Sequence, residues 1–417
     1  MKKFVGSIIL IFAIAFQNVS LPQGEAAVPF LVVPVSPFLN GMGATGTSLP
    51  TDDPFGFLYN PAQLGYVSQG NNFSFIIYPS SVDILPFSFY QVDVNAFALN
   101  LGYNFKKLIN FPLTVGFGFA RPEISFGEFI STAGSFESKD YYLAFSLGVG
   151  IDYDVQFYGG ITYKSITSIL APPGIGIGTE AGSGEANTGV FDFGFLLNIP
   201  VIKLIDDEAN LELFENVPSI PFFNFSIGYS QLNIGDEIYY IDPAQADPLP
   251  RTARLGYGLS TGIDLKIEEM ILRSLELGFT VDAEDILVTR SMDTTGRSKL
   301  EYQSFLGDID IGRNIIQMKG DENVISRSGF KLDFVETLAI TWGKYSGRSY
   351  DNLKTNGIVI RSKGLLKLLD KFTSDPTMNY IANHFDIRYY KSTYNIDNWD
   401  ERNFEGIALV INGYQFW

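Results

Sequence analysis

Large apolar side chains recur at every second position over long stretches of this chain, and that period restricts it to strands with one greasy face. Tyr141, Leu143, Phe145, Leu147, Val149 and Ile151 share one parity, while Ala144, Ser146, Gly148, Gly150 and Asp152 fill most of the other. Successive side chains of a strand point to opposite faces, so the second face is small and polar. The pattern returns at Phe111, Leu113, Val115, Phe117 and Phe119, at Leu255, Tyr257, Leu259, Ile263 and Leu265, and at Leu275, Leu277, Phe279 and Val281. A soluble sandwich also alternates, but it seldom repeats the pattern over so many long strands. Apolar-out and polar-in is the signature of a closed membrane barrel.

Composition agrees with that reading. Aromatic residues make up 15% of the chain and charged residues only 18%, against about 25% charged in soluble domains. After Phe16 no run approaches the roughly 20 apolar residues that a membrane helix needs. Alternating segments lie near 71–79, 89–105, 111–121, 139–151, 153–166, 188–200, 220–233, 252–266, 270–284, 298–318, 329–344, 355–363, 382–394 and 404–417. The expected fold is therefore all-β: a transmembrane antiparallel barrel of roughly 14 strands, an even number as single-chain bacterial barrels have. The last segment closes on Tyr414, Phe416 and Trp417, an aromatic ending of the kind the barrel-insertion machinery recognises.

Connections separate into two kinds. Ala171 to Asn187 carries Pro172-Pro173-Gly174 and further glycines, which predicts a long outer loop, whereas Asn110-Phe111-Pro112 and Gly150-Ile151-Asp152 predict tight turns. Gly364 to Phe372 sets Leu365, Leu368, Leu369 and Phe372 at helical spacing, which predicts a short amphipathic helix that caps a barrel mouth or lies at the membrane interface.

At the start, Met1-Lys2-Lys3 precedes an apolar run from Phe4 to Phe16 and a polar stretch ending in Ala26-Ala27. The run is too short to span a bilayer, so residues 1–26 read as a secretory signal peptide; an uncleaved anchor is the alternative. The divisions expected are thus a leader at 1–26, an N-terminal hatch or plug at 27–69 and a barrel at 70–417. Outer-membrane location and contact with outer-membrane lipid follow. There is no cysteine, which excludes thiol chemistry and suits an oxidising compartment. A net charge of −17 excludes nucleic acid as a partner.

Between leader and first strand come an apolar stretch from Pro29 to Pro34, then Gly41-Met42-Gly43 with a small residue after it, the acidic pair Asp52-Asp53, and Tyr59-Asn60-Pro61-Ala62. This segment resembles the start of PorV/PorQ family proteins and, more loosely, of the FadL fatty-acid transporters, over about 40 residues. Pro250-Arg251-Thr252-Ala253-Arg254-Leu255-Gly256 resembles the entry to a middle strand in the same family. The residues support a compact non-helical segment on their own account, since the glycines permit tight packing and Asn60-Pro61 forces an extended or turn backbone. Such a segment suits a plug folded into the lumen; the plainer alternative is a tight turn into strand one with no gating role. Arg251 and Arg254 are expected to pair with lumen carboxylates such as Glu276 or Asp282, which share the inward parity.

Catalytic chemistry is sparse. His384 is the only histidine, which excludes a histidine metal cluster and leaves a Ser-His dyad resting on one residue. Asp206-Asp207-Glu208 and Asp282-Ala283-Glu284-Asp285 lack the spaced ligands and turn glycine of a calcium loop, and Gly174 to Gly184 lacks the strand-to-helix setting of a phosphate cradle. The expectation is a barrel that is not an enzyme and uses no cofactor or metal. The resemblance implies a partner role, receiving cargo proteins or other components of type IX secretion; the alternative is a FadL-like channel for small hydrophobic molecules.

Overall fold

In a computed structural model the chain is described over residues 26–83, 92–131, 134–171, 184–214, 217–241, 246–267, 270–292, 298–348, 350–373, 375–395 and 402–414. The leader, most of the glycine-rich loop at 172–183, and both Phe416 and Trp417 lie outside that range.

Fourteen antiparallel strands close into one barrel. They are β1 (Phe73–Ile77, resuming at Val82–Asp83), β2 (Asp93–Asn104), β3 (Leu113–Ser131), β4 (Gly134–Asp152), β5 (Gln156–Ala171), β6 (Gly184–Pro200) and β7 (Val217–Gly235), followed by β8 (Thr252–Ile267), β9 (Met270–Ile286), β10 (Val324–Phe334), β11 (Leu338–Gly347), β12 (Tyr350–Arg361), β13 (Phe385–Asn395) and β14 (Arg402–Ile411). Each pairs with the next, and β1 pairs with both β2 and β14, so the main sheet closes on itself. Closure removes sheet edges, which is what allows strands to cross a bilayer. The short helices are α1 (Pro37–Gly41), α2 (Gln63–Val67), α3 (Lys106–Ile109), α4 (Val201–Ile205), α5 (Lys363–Thr373) and α6 (Pro376–His384).

The outward parity is the one expected. Phe117, Phe145, Leu147, Val149, Phe195 and Leu277 are exposed on the outer wall, while Ala144, Ser146 and Thr162 are buried inside. Aromatic rings run along that belt from strand to strand, as in Phe97 to Phe119 at 5.8 Å and Phe119 to Phe145 at 5.1 Å between centroids.

The strand number agrees with the sequence reading through two compensating errors. Segment 298–318 is not a barrel strand: Ser298–Tyr302 forms a side hairpin with Val288–Met292, and Ile311–Ile316 is a π-helical turn. Its apolar residues have another use. Ile309 and Ile315 are buried with Ala253, Val281 and Ala283 of the outward wall, and Phe305 stacks on Tyr229 at 4.3 Å, so an outer connection clasps the barrel from outside. Segment 329–344, by contrast, is two strands. Three residues, Val335 to Thr337, separate the paired Phe334 and Leu338; Val335 and Glu336 turn the chain at positive φ (53° and 47°), and the Thr337 amide donates to the Phe334 carbonyl at 2.9 Å. Neither residue signals a turn, so the alternation ran through unbroken.

Further expectations need correction. The strand assigned to 382–394 begins at Phe385, after α6, and the last strand ends at Ile411 rather than Trp417. Gly150-Ile151-Asp152 ends β4 rather than forming a turn, and the Asn110 turn follows α3. Long connections also occur at both ends: α4 and α5–α6 lie at the end carrying the start of β1 and the finish of β14, hereafter the terminal end. The amphipathic helix foreseen at 364–372 is α5.

Candidate functional site: the plugged lumen

Residues 28–72 run through the barrel interior. Near the loop end the Ala27 amide donates to the Pro248 carbonyl at 2.8 Å, and at the terminal end the Asn71 side chain donates to the Tyr414 carbonyl at 2.8 Å. In between, nearly every residue is buried. Ser36 starts α1 by accepting from the Leu39 amide at 2.9 Å, with Pro37 at the first helical position. The Asn60 side chain, ahead of Pro61, accepts from the Ala62 amide at 3.0 Å and donates to the carbonyls of Thr47 at 2.7 Å and Phe195 at 3.0 Å. One side chain therefore ties the plug to itself and to the wall.

Inward glycines of the wall are where the plug touches. A Cβ at Gly228 would stand 2.0 Å from the Thr47 carbonyl oxygen, one at Gly194 2.0 Å from the Asn60 Oδ1, and one at Gly160 2.4 Å from the Pro61 carbonyl oxygen. Gly41 and Gly43 meet the wall likewise: Gly43 has φ +73° and lies against Ser328 and Lys344, its amide donating to Thr355 Oγ1 at 2.9 Å. Met42 is buried over Gly329. The small parity of the strands is thus a fitted bed for backbone.

The lumen wall has two chemistries. From β1 to β6 its inner face is mainly apolar, with Ile76, Val94, Ala98, Ile124, Tyr142 and Ile166 packed on Phe30, Leu31, Phe55 and Phe57 of the plug. Phe30 meets Tyr142 at 5.6 Å and Phe55 meets Tyr78 edge-on at 6.1 Å. Among the described residues this half also buries the ion pair of Lys164 with Asp192 at 2.9 Å, and Asp140, which accepts from the Ser168 hydroxyl at 2.5 Å. From β8 to β13 the inner face is charged. Asp282 accepts from the Gly46 and Thr47 amides at 2.8 and 2.9 Å and from Ser48 Oγ at 2.8 Å. Glu284 pairs with Arg254 and, at 3.0 Å, with Arg327. Arg388 joins Asp386 at 2.6 Å to Asp52 of the plug at 2.7 Å.

These placements revise the expected charge network. Arg254 pairs with Glu284 rather than with Glu276 or Asp282, and Glu276 pairs with Arg273 at 3.3 Å and Lys331 at 2.6 Å. Arg251 has the outward parity of β8, where its guanidinium covers the Tyr302 ring at 3.7 Å. Sequence reasoning weighed Glu284 only within an acidic run as a cation loop, although that run lies in β9 and Glu284 shares the parity of Glu276 and Asp282; it passed over Arg327, just ahead of the segment at 329–344, and Arg388, whose strand alternates poorly. Of the acidic pair, Asp53 turns away from the cations and accepts from the Ser36 hydroxyl and from the Phe55 amide at 2.8 Å. Burial pushes its carboxyl up to about 6, against the pull of those two donors.

At the terminal end the plug and the charged wall leave a cavity of about 340 Å³, lined among others by Asp52, Arg273, Glu276, Lys331, Glu336 and Lys367. Glu336 lies in the β10–β11 turn. Burial disfavours its charge, but Lys363 and Lys367 outweigh that and hold it down at about 2. His384 ends α6, stacked on Tyr380 at 4.3 Å with its Nδ1 at 2.8 Å from the Tyr380 carbonyl. Among the described residues no group of acidic and histidine side chains is placed to hold a metal.

No family model matches the chain, and no curated protein matches it. Solved structures do show likeness. The Ralstonia pickettii toluene transporter TbuX aligns over 90% of this chain and 97% of its own at 11% identity and a TM-score of 0.40. The Pseudomonas putida toluene transporter TodX aligns over the same shares at 11% identity and 0.38. A Pseudomonas aeruginosa FadL homologue aligns over 92% and 99% at 12% identity and 0.38. The likeness is to FadL-type barrels, and it is distant. No finding singles out the PorV/PorQ group, and nothing in the fold or in these likenesses links the chain to type IX secretion.

Proposed function

We propose that the chain is an outer-membrane channel for small apolar molecules whose path is occupied by its own plug. The observation that carries this is the apolar half of the lumen. Water-filled barrels have polar interiors, whereas here Val94, Ile124, Tyr142 and Ile166 face inward in one buried apolar cluster with Phe30 and Leu31, Phe30 meeting Tyr142 at 5.6 Å. An apolar chamber inside a membrane barrel gives nothing to ions and much to a hydrocarbon, because its burial removes apolar surface from water at roughly 25 cal/mol per Å². Phe30 and Leu31 occupy the chamber as an intramolecular stand-in for such a molecule. The charged half fastens the plug while the apolar half holds what passes.

The test is uptake by vesicles carrying the purified protein, with a monoaromatic hydrocarbon and a long-chain fatty acid as probes. Phe30→Ala should speed uptake several-fold, and Ile124→Asp should abolish it. The reading fails if neither probe crosses faster than through protein-free vesicles while Phe30→Ala admits ions.

A further inference from the structure

The helical hairpin α5–α6 presents its greasy side outward. Leu365, Leu369 and Phe372 are exposed, Phe372 at 85%, as are Tyr380 and Ile381 of α6. The opposite side of α5 is turned to the protein. Gly364 is pressed on the Val335 carbonyl, Lys363 pairs with Glu336 at 3.0 Å, and buried Lys367 also binds Glu336 and donates to the Ile271 carbonyl at 2.7 Å. An interfacial helix ordinarily leaves its polar face in water and sinks its apolar face into the headgroup boundary. In this chain the charged vestibule stands where the water would be.

We infer that α5 lies in the terminal-side leaflet, so that lipid on its outer face and Glu336 on its inner face together hold the vestibule floor. The occupant is argued from continuity. β12 enters the hairpin directly after Ile358 and Ile360, and β13 leaves it at Ile387; all three are exposed on the outward, lipid-facing parity. The apolar belt therefore runs unbroken from wall to helix on both sides. Lys363 and Lys367 on the inner face are both bound by Glu336, and the exposed arc of Leu365, Leu369 and Phe372 carries no charge. This inference does not depend on what crosses the barrel.

The chain has no cysteine, so Leu369→Cys, Lys371→Cys and Phe372→Cys each carry one nitroxide. With the full protein in phosphatidylethanolamine–phosphatidylglycerol vesicles, labels at 369 and 372 should be relaxed several-fold more by oxygen than by an aqueous nickel chelate. They should match a Leu277→Cys label on the belt, and the label at 371 should show the reverse order. Chelate relaxation at both 369 and 372 equal to that at 371 would overturn the assignment. So would dipolar broadening that vanishes on dilution with unlabelled protein, since that places a second copy on the helix. The two apolar positions guard against one variant perturbing the hairpin, and heat-shifted electrophoretic mobility reports that the barrel has formed.

Discussion

The two halves of the lumen hold the same plug by different physics. Along β8 to β13 the grip is directional: a few carboxylates and guanidinium groups meet particular amides and charges, and each loses most of its worth if one partner goes. Along β1 to β6 it is shape and area, spread over many side chains that can repack. The difference suggests that the charged half decides where the plug sits and the apolar half decides what replaces it.

The largest effect should come from breaking the charged half. Asp282→Ala leaves the Gly46 and Thr47 amides of the plug without their acceptor, at a cost of about 1–3 kcal/mol for each. The plug should become cleavable by protease in detergent while the barrel keeps its heat-shifted mobility; a plug still protected would show that the apolar half suffices. Next, Phe57→Ala opens a void in the apolar half, where Phe57 is buried over Gly118, costing about 3 kcal/mol. Here the plug should stay protected and bind a fluorescent apolar probe in the void.

A smaller effect follows from pH. The Asp53 carboxyl sits at about 6 in the fold against an ordinary 3.8, so the folded plug binds the proton more tightly than the unfolded chain does. Its contribution is full below about pH 4, declines as pH rises to about 6, and is flat above, a change on the order of 2–3 kcal/mol. Amide exchange across residues 36–58, corrected for intrinsic rates, should reveal faster opening at pH 7 than at pH 4.5, and Asp53→Asn should remove the difference. Least of all, Arg121→Ala breaks the partly exposed pair with Glu123 outside the lumen and should change unfolding by less than about 1 kcal/mol; a larger shift would mean that the outer wall, too, relies on charge.

Much of this was legible in the residues and some was not, for reasons that differ by position. Asn60 and Gly43 stood out because a turn or a close approach limits the residue type, and Asp52 because it belongs to an acidic pair in the segment that carries the resemblance. Glu284 and Arg327 did not, because a charge on an inward parity carries no mark of its partner. The positive φ at Val335 and Glu336 is imposed by the tight connection between β10 and β11 against a sequence that resists it.

Taken alone, the sequence determined the architecture: a period of two, sustained over strands too greasy on one face for water, leaves a membrane barrel as the outcome. It also marked the segment ahead of β1 as compact, but the expectation that this segment is non-helical fails: α1 and α2 both lie in it, because Ser36 and Pro37 start a helical turn and Asn60-Pro61 leads into another. Only the tertiary structure decided that this segment fills the lumen, that inward glycines form its bed, and that charge and grease divide the wall between them. The physical reason is range. Alternation and turn chemistry act between near neighbours, whereas Asp282 finds Gly46, and Arg388 finds Asp52, only once the barrel has closed.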